Sequence, residues 1–122
     1  MHKFRTIISY QNHFEEFIKQ QKPKIRNKIY WTLLLVEESQ YVPEKYLKHI
    51  EGTRGLYEIR VQFSNDNFRI FCFFDEGNIV ILANAFTKKS QKTPRQEISR
   101  ALKIMEDYHE EKKYQQNTCS TY

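Results

Sequence analysis

The sequence predicts an α+β domain, in which an N-terminal helical hairpin packs on a small antiparallel sheet and a C-terminal helix follows. Two observations carry this. The hydrophobic period is helical from about residue 12 to residue 38 and again after Thr93, but β-like from Leu56 to Thr87. The β-like stretch is broken twice, at Ser64–Asn67 and at Glu76-Gly77, by residues with hairpin chemistry. A chain of 122 residues suits one domain with one core. With aromatics at 15%, that core is expected to be built from Phe and Tyr as much as from aliphatics.

The elements follow in order. Phe4 to Tyr10 alternates weakly and is rich in β-branched residues, so it reads as a short edge strand. Asn12 followed by Glu15 is a helix-start signal, and Phe14, Phe17 and Ile18 make a short amphipathic helix that breaks near Pro23. A second helix should run from about Pro23 to Glu38, with Ile25, Ile29, Leu33 and Val36 on one side. Tyr41 to Gly55 reads as a loop with a helical turn at Pro43 to Tyr46. Leu56–Phe63, Phe68–Asp75 and Asn78–Thr87 are expected as a three-stranded antiparallel meander. Thr93, Pro94 and Gln96 then start the last helix, with Ile98, Ala101, Leu102, Met105 and Tyr108 as its apolar stripe. The folded domain is expected to span 1–109, with 110–122 a polar, disordered tail.

Register decides which side chains share a face. Pairing Phe63 with Phe68 puts Tyr57, Ile59, Val61 and Phe63 on an apolar face with Phe68, Ile70, Cys72 and Phe74. Pairing Asp75 with Asn78 adds Ile79, Ile81, Ala83 and Ala85 to that face. The opposite face then carries Glu58, Arg60, Gln62, Arg69, Phe71, Phe73, Leu82, Asn84 and Phe86, with Asn84 opposite Arg69. Arg60 and Arg69 side by side need an anion. Glu58 could supply it, or a bound phosphate, which guanidinium groups hold bidentately. The pattern weighs the two evenly.

The formal net charge is +5, and its distribution matters more than its size. Lys19, Lys22, Lys24, Arg26 and Lys28 crowd the joint between the first two helices with no acid among them. Lys88, Lys89, Lys92 and Arg95 crowd the loop after the last strand, which ends at a helix N-terminus favourable to anions. A lysine run is usually a solvated loop. Next to Arg60, Arg69, Gln62 and Asn84, with Phe71 and Phe86 as stacking planes, it suits single-stranded nucleic acid.

Other chemistries lack their patterns. His2, His13, His49 and His109 have no metal-ligand spacing, so no metal or other cofactor is expected. Ser90 and Cys72 lack a base-and-orienter pattern, and no phosphate-binding glycine loop is present. Cys72 and Cys119 are expected as free thiols in a reducing cytoplasm. No run reaches the about 20 apolar residues that cross a bilayer, and the first ten residues lack a signal peptide's apolar stretch, so no membrane partner is expected.

Three runs carry a resemblance: Gly55-Leu56-Tyr57-Glu58-Ile59-Arg60, Phe68-Arg69-Ile70-Phe71, and Phe86 to Pro94 followed by Glu97, Ile98 and Ala101. In this order they resemble the phage-derived HigB-like branch of the RelE/ParE toxin superfamily, over roughly residues 4 to 108. The resemblance implies a RelE-like fold and a toxin of a type II toxin–antitoxin system. It implies a cytoplasmic, metal-independent endoribonuclease that cuts mRNA on the ribosome and pairs with a helix-turn-helix antitoxin. Arg60 and Arg69 match the family's strand arginines and would stabilise charge on phosphorus. Lys88, Lys89 and Lys92 match its basic loop, where contacts to message or ribosomal RNA are implied; Lys88 is grouped with Arg60 and Arg69 as catalytic, and Lys89 and Lys92 as RNA-binding. Where some relatives place His, Asp or Tyr as acid or base, this sequence has Phe86 and lysines; only His49 stands where it could approach. The resemblance leaves room for a ParE-like, non-enzymatic gyrase inhibitor, and for a degenerate toxin that only binds antitoxin and RNA.

Overall fold

The computed structural model describes residues 3–119. Its elements are β1 (Thr6–Ser9), α1 (His13–Lys19), α2 (Pro23–Glu38), β2 (Leu47–His49), β3 (Leu56–Phe63), β4 (Asp66–Asp75), β5 (Ile79–Lys88) and α3 (Arg95–Cys119). The five strands form one mixed sheet in the order β1-β5-β4-β3-β2. β3, β4 and β5 are the expected antiparallel meander. β1 takes the expected edge position but runs parallel to β5.

Helices cover both faces of the sheet, so the central strands are buried on both sides. On one face Phe14 and Ile18 of α1, with Ile29 and Val36 of α2, pack on Ile59, Val61, Phe68, Ile70 and Cys72. On the other, Ala101 and Ile104 of α3 pack on Leu56, Phe71, Phe73, Ile81, Ala83 and Phe86. Ile98, Leu102, Met105 and Tyr108 complete the α3 stripe as its 3.6-residue period requires. Burial also pushes the Cys72 thiol far up, leaving it unreactive. The Cys119 thiol lies outside the described side chains.

The helix boundaries follow from local chemistry, with small departures. α2 begins at Pro23, which suits the first turn because its missing N–H would have no partner there. Asn12 occupies the N-cap of α1, but its side chain makes no capping hydrogen bond. α3 starts one residue after Pro94, whose carbonyl accepts from the N–H groups of Glu97 and Ile98. At the other end of α2, the Arg5 guanidinium donates to the carbonyls of Val36, Ser39 and Gln40, satisfying groups that a helix C-terminus leaves open.

Both hairpins depart from the expected register. The first turn has two residues, Ser64-Asn65, with Phe63 opposite Asp66. This is a shift of two, which keeps every side chain on its expected face and sets Arg60 directly opposite Arg69. The second turn has three residues, Glu76 to Asn78, with Asp75 opposite Ile79, and both Glu76 (φ 46°) and Gly77 (φ 72°) are left-handed. That shift of one turns Val80 and Leu82 toward the helical hairpin, and Ile79 and Ile81 toward α3, reversing the expected faces. A bulge then restores the pattern: Cys72 faces Leu82, but Ile70 faces Ala85. The early half of β5 tolerates the reversal because Ile79 to Leu82 are all apolar and both faces are covered.

Two regions read from the sequence as unstructured are ordered. Leu47–His49 forms an edge strand on β3, after the expected turn at Pro43 to Tyr46. α3 continues past residue 109 to Cys119. Its extra turns are held by Lys112 Nζ, which donates to both oxygens of Asp75 (2.7 and 2.8 Å), beside the Tyr108 hydroxyl bonded to the same carboxylate. Glu111 likewise accepts from Tyr10. Residues 120–122 lie outside the described residues. Among the described residues, no helix is long and apolar enough to cross a membrane.

The hydrogen bonds from Lys112 and Tyr108 hold the Asp75 carboxyl below its ordinary value of 3.8. A depressed carboxyl stabilises the fold above its unfolded value and loses that contribution as pH falls through the folded one. Asp75→Asn should therefore cost about 1–3 kcal/mol at neutral pH. Urea denaturation at a series of pH values should show the gap to wild type closing below about pH 4.

Candidate functional site

The two strand arginines are cross-strand partners on the α3 face of the sheet. Between them stands Glu58, which is 5% exposed. Its carboxylate lies 3.6 Å from Arg60 Nε and 3.7 Å from Arg69 Nε. Of the two readings left open above, the acid partner is therefore present. It does not use up the cations, because one carboxylate serves two guanidiniums and a net positive charge remains. Both contacts exceed hydrogen-bond length, and Glu58 Oε2 and Arg69 Nε are buried without a hydrogen-bond partner.

The arginines differ in access. Arg69 is 5% exposed and donates through Nη1 to the Phe68 carbonyl. Burial pulls its guanidinium below the ordinary arginine value, Glu58 counters this, and Arg60 adds to it. The Arg60 side chain is one-third exposed and reaches the Glu44 carbonyl. Lys88 stands opposite Asn67 on the neighbouring strand. Burial, and then the field of Arg69, holds its ammonium below the ordinary lysine value; Arg60 and Lys48 act in the same direction and Glu58 against them. Arg60, Arg69, Lys88, Lys48 and Glu58 thus form one electrostatic cluster.

Arg60 and Arg69 also line a cleft of about 390 Å³ at the free edge of β3. β2 pairs with β3 only as far as Ile59. The Arg60 N–H still donates to the Tyr46 carbonyl just before β2, and beyond it residues from both faces of the strand, Val61 and Gln62, reach the cleft. Lys28 and Thr32 of α2 form one wall, and Lys45 and Tyr46 of the loop before β2 another. Gln62, Ser64 and Asn67 supply amide and hydroxyl groups. Among the described residues, four cationic side chains line this space and no carboxylate does.

The other expected site residues are placed differently. Phe71 and Phe86 are not stacking planes: they are core, 0% and 8% exposed, with their rings 5.5 Å apart under α3. Asn84 falls in the bulge rather than opposite Arg69, and its buried amide donates to the Glu97 carbonyl and carboxylate. It ties β5 to α3 and is closed to a ligand. Gln62 is exposed and lines the cleft as a polar contact should. Lys89, Lys92 and Arg95 are exposed, yet none lines the cleft. His49 pairs opposite Tyr57, on the face away from Arg60. Among the described residues, no three His, Cys, Asp or Glu side chains come together as a metal ion would require.

Sequence reasoning missed Lys28, Lys45, Tyr46 and Lys48 as members of the site. Lys28 was visible within the basic joint, but nothing local said that α2 would lie along β3. The other three fall in the stretch read as loop, where periodicity gives no placement.

Removing the shared acid should expose the repulsion that it screens. Glu58→Gln should destabilise the fold by about 3–5 kcal/mol, since it leaves Arg69 buried without a counter-charge. Chemical denaturation would measure this, and Arg69→Leu added to Glu58→Leu should recover much of the loss.

A family model described as Phage derived protein Gp49-like (DUF891) matches residues 16–106. No curated protein matches the chain. The matched span runs from within α1 to within α3 and takes in every residue that lines the cleft. The chain therefore belongs to the phage-derived Gp49-like family, a toxin-like family related to the toxins of type II toxin–antitoxin systems.

Proposed function

We propose that this protein is the toxin of a type II pair, a cytoplasmic endoribonuclease that cuts messenger RNA on the ribosome and is restrained by a helix-turn-helix antitoxin. One observation carries the reading: Arg60 and Arg69 stand opposite each other on adjacent strands, share a single acid, and line a cleft with Lys28 and Lys45. Excess positive charge at a concave polar surface favours a phosphodiester, whose charge grows in the transition state.

The reaction is a transesterification within the RNA, which these side chains assist. The ribose 2′-oxygen attacks the adjacent phosphorus, an O2′–P bond forms, and the P–O5′ bond breaks. The products are a 2′,3′-cyclic phosphate and a free 5′-hydroxyl. The 2′-proton passes to solvent or to an RNA or ribosomal group, and the leaving 5′-oxygen takes up a proton. Arg60, the more accessible guanidinium, binds the non-bridging oxygens as their charge rises. Arg69 holds Glu58 and, with it, the orientation of Arg60. Lys88 is assigned as the proton donor, because an ammonium held below its ordinary value gives up its proton more readily. Ribosomal RNA would contact the exposed Lys89, Lys92 and Arg95.

Brief expression in cells, followed by mapping of new RNA ends, tests this reading. Cuts in translated messages should appear in phase with codons. Arg60→Ala should lower their yield about 10²-fold without unfolding the chain, the usual cost of losing one charge-stabilising donor. Arg69→Ala is a poorer probe, because it strands Glu58. Growth arrest with intact messages and an induced DNA-damage response would replace this reading with gyrase inhibition.

A further inference from the structure

The cleft beside β3 has a wall that the proposed reaction does not use. Arg60 and Arg69 serve the phosphate to be cut, but Lys28, Lys45, Tyr46, Gln62 and Asn67 line the same space. The Tyr46 ring lines it, and the Trp31 ring, just outside the lining, packs edge-on against Tyr46 with centroids 6.3 Å apart at 69°. The Lys28 ammonium sits over the Trp31 ring at 4.1 Å, and the Lys45 ammonium approaches the Tyr46 ring at 5.5 Å. Trp31 is 48% exposed, unlike the buried Phe71 and Phe86. The stacking surface thus lies on the α2 side of the cleft and not on the sheet.

We propose that this cleft is a nucleotide subsite that holds a residue of single-stranded RNA next to the phosphate at Arg60. Its backbone phosphate sits between Lys28 and Lys45, its base stacks on Tyr46 beside Trp31, and the amides of Gln62 and Asn67 read the base edge. The chemistry favours this ligand. Two ammonium groups without a lining carboxylate attract a phosphate, π-faces accept any base, and an amide can donate and accept along a base edge. An acidic peptide would satisfy the lysines but leave the rings and both amides without a role. This subsite rests on the RNA reading above, and it assigns base preference to Gln62 and Asn67.

The chain holds one tryptophan, so its fluorescence reports from the rim of the cleft. The isolated protein is titrated with pentaribonucleotides of adenosine, uridine and cytidine, and separately with inorganic phosphate. Anisotropy of a labelled pentamer gives a second readout. At least one pentamer should change Trp31 emission saturably, while phosphate at the same concentration should not. Lys45→Ala should weaken binding and reduce the slope of log K against log salt by about 0.7, as expected for one fewer single-strand phosphate contact. Tyr46→Ala should weaken every pentamer about ten-fold. Gln62→Ala should narrow the differences among pentamers at an unchanged salt slope. Lys103→Ala removes the same charge from the exposed face of α3 and should change neither preference nor stacking.

An equal response to phosphate alone, or equal losses for Lys45→Ala and Lys103→Ala, would overturn the subsite. So would pentamer binding that ignores Tyr46→Ala and Gln62→Ala. The assay needs neither ribosome nor cleavage. Messages left uncut in cells, with pentamers still reading the cleft, would remove the nuclease and keep the subsite. Codon-phased cuts with pentamers indifferent to the variants would do the reverse.

Discussion

A single buried carboxylate organises this protein's chemistry. Glu58 lies between two guanidiniums on adjacent strands, and without it Arg60 and Arg69 would repel each other across one cross-strand pair. Desolvating an arginine as fully as Arg69 requires a counter-charge nearby. Glu58 provides it while leaving the cluster cationic. The same charges reach Lys88 on β5, where burial and Arg69 disfavour the protonated ammonium. Binding of an anion would relieve this strain. The fold therefore tolerates an electrostatic cost at one end of an otherwise apolar sheet, the arrangement expected of a ligand site.

The second constraint is geometric. The three-residue turn at Glu76 to Asn78 sets β5 one position out of step with β4, and the bulge opposite Phe71 corrects it. Ala83 and Asn84, the two residues of that bulge, both turn toward α3. Asn84 is thereby fixed to Glu97, and the bulge delivers Phe86, not Asn84, opposite Arg69. Phe86 thus stands beside Arg69 on the α3 face, and the guanidinium pair lines the cleft at the β3 edge.

The third is the docking of the helices. Arg5 closes the C-terminus of α2, and Glu37 accepts from the Ile7 N–H, so that α2 is fastened to β1 at one end. Its other end reaches β3 with Thr32 and Lys28. This placement turns a basic helix into a wall of the cleft and leaves Trp31 at its rim. α3 is held on the opposite face, where Asp75, Tyr108 and Lys112 extend its grip beyond the apolar stripe.

The sequence by itself determined what depends on local period and short-range chemistry. The span of α2, the stripe of α3, the meander, and the shared face of Glu58, Arg60 and Arg69 were all legible, because a register shift of two leaves the strand alternation intact. The tertiary structure decided what depends on non-local contacts. The face of each residue early in β5 could not be read, because Ile79 to Leu82 are all apolar and the sheet is covered on both sides. Phe71 and Phe86 looked like stacking planes until α3 covered them. The cleft itself had no sequence signature, since Lys28, Lys45 and Arg60 belong to three separate segments that meet only when α2 packs along β3 and β2 stops short of its end.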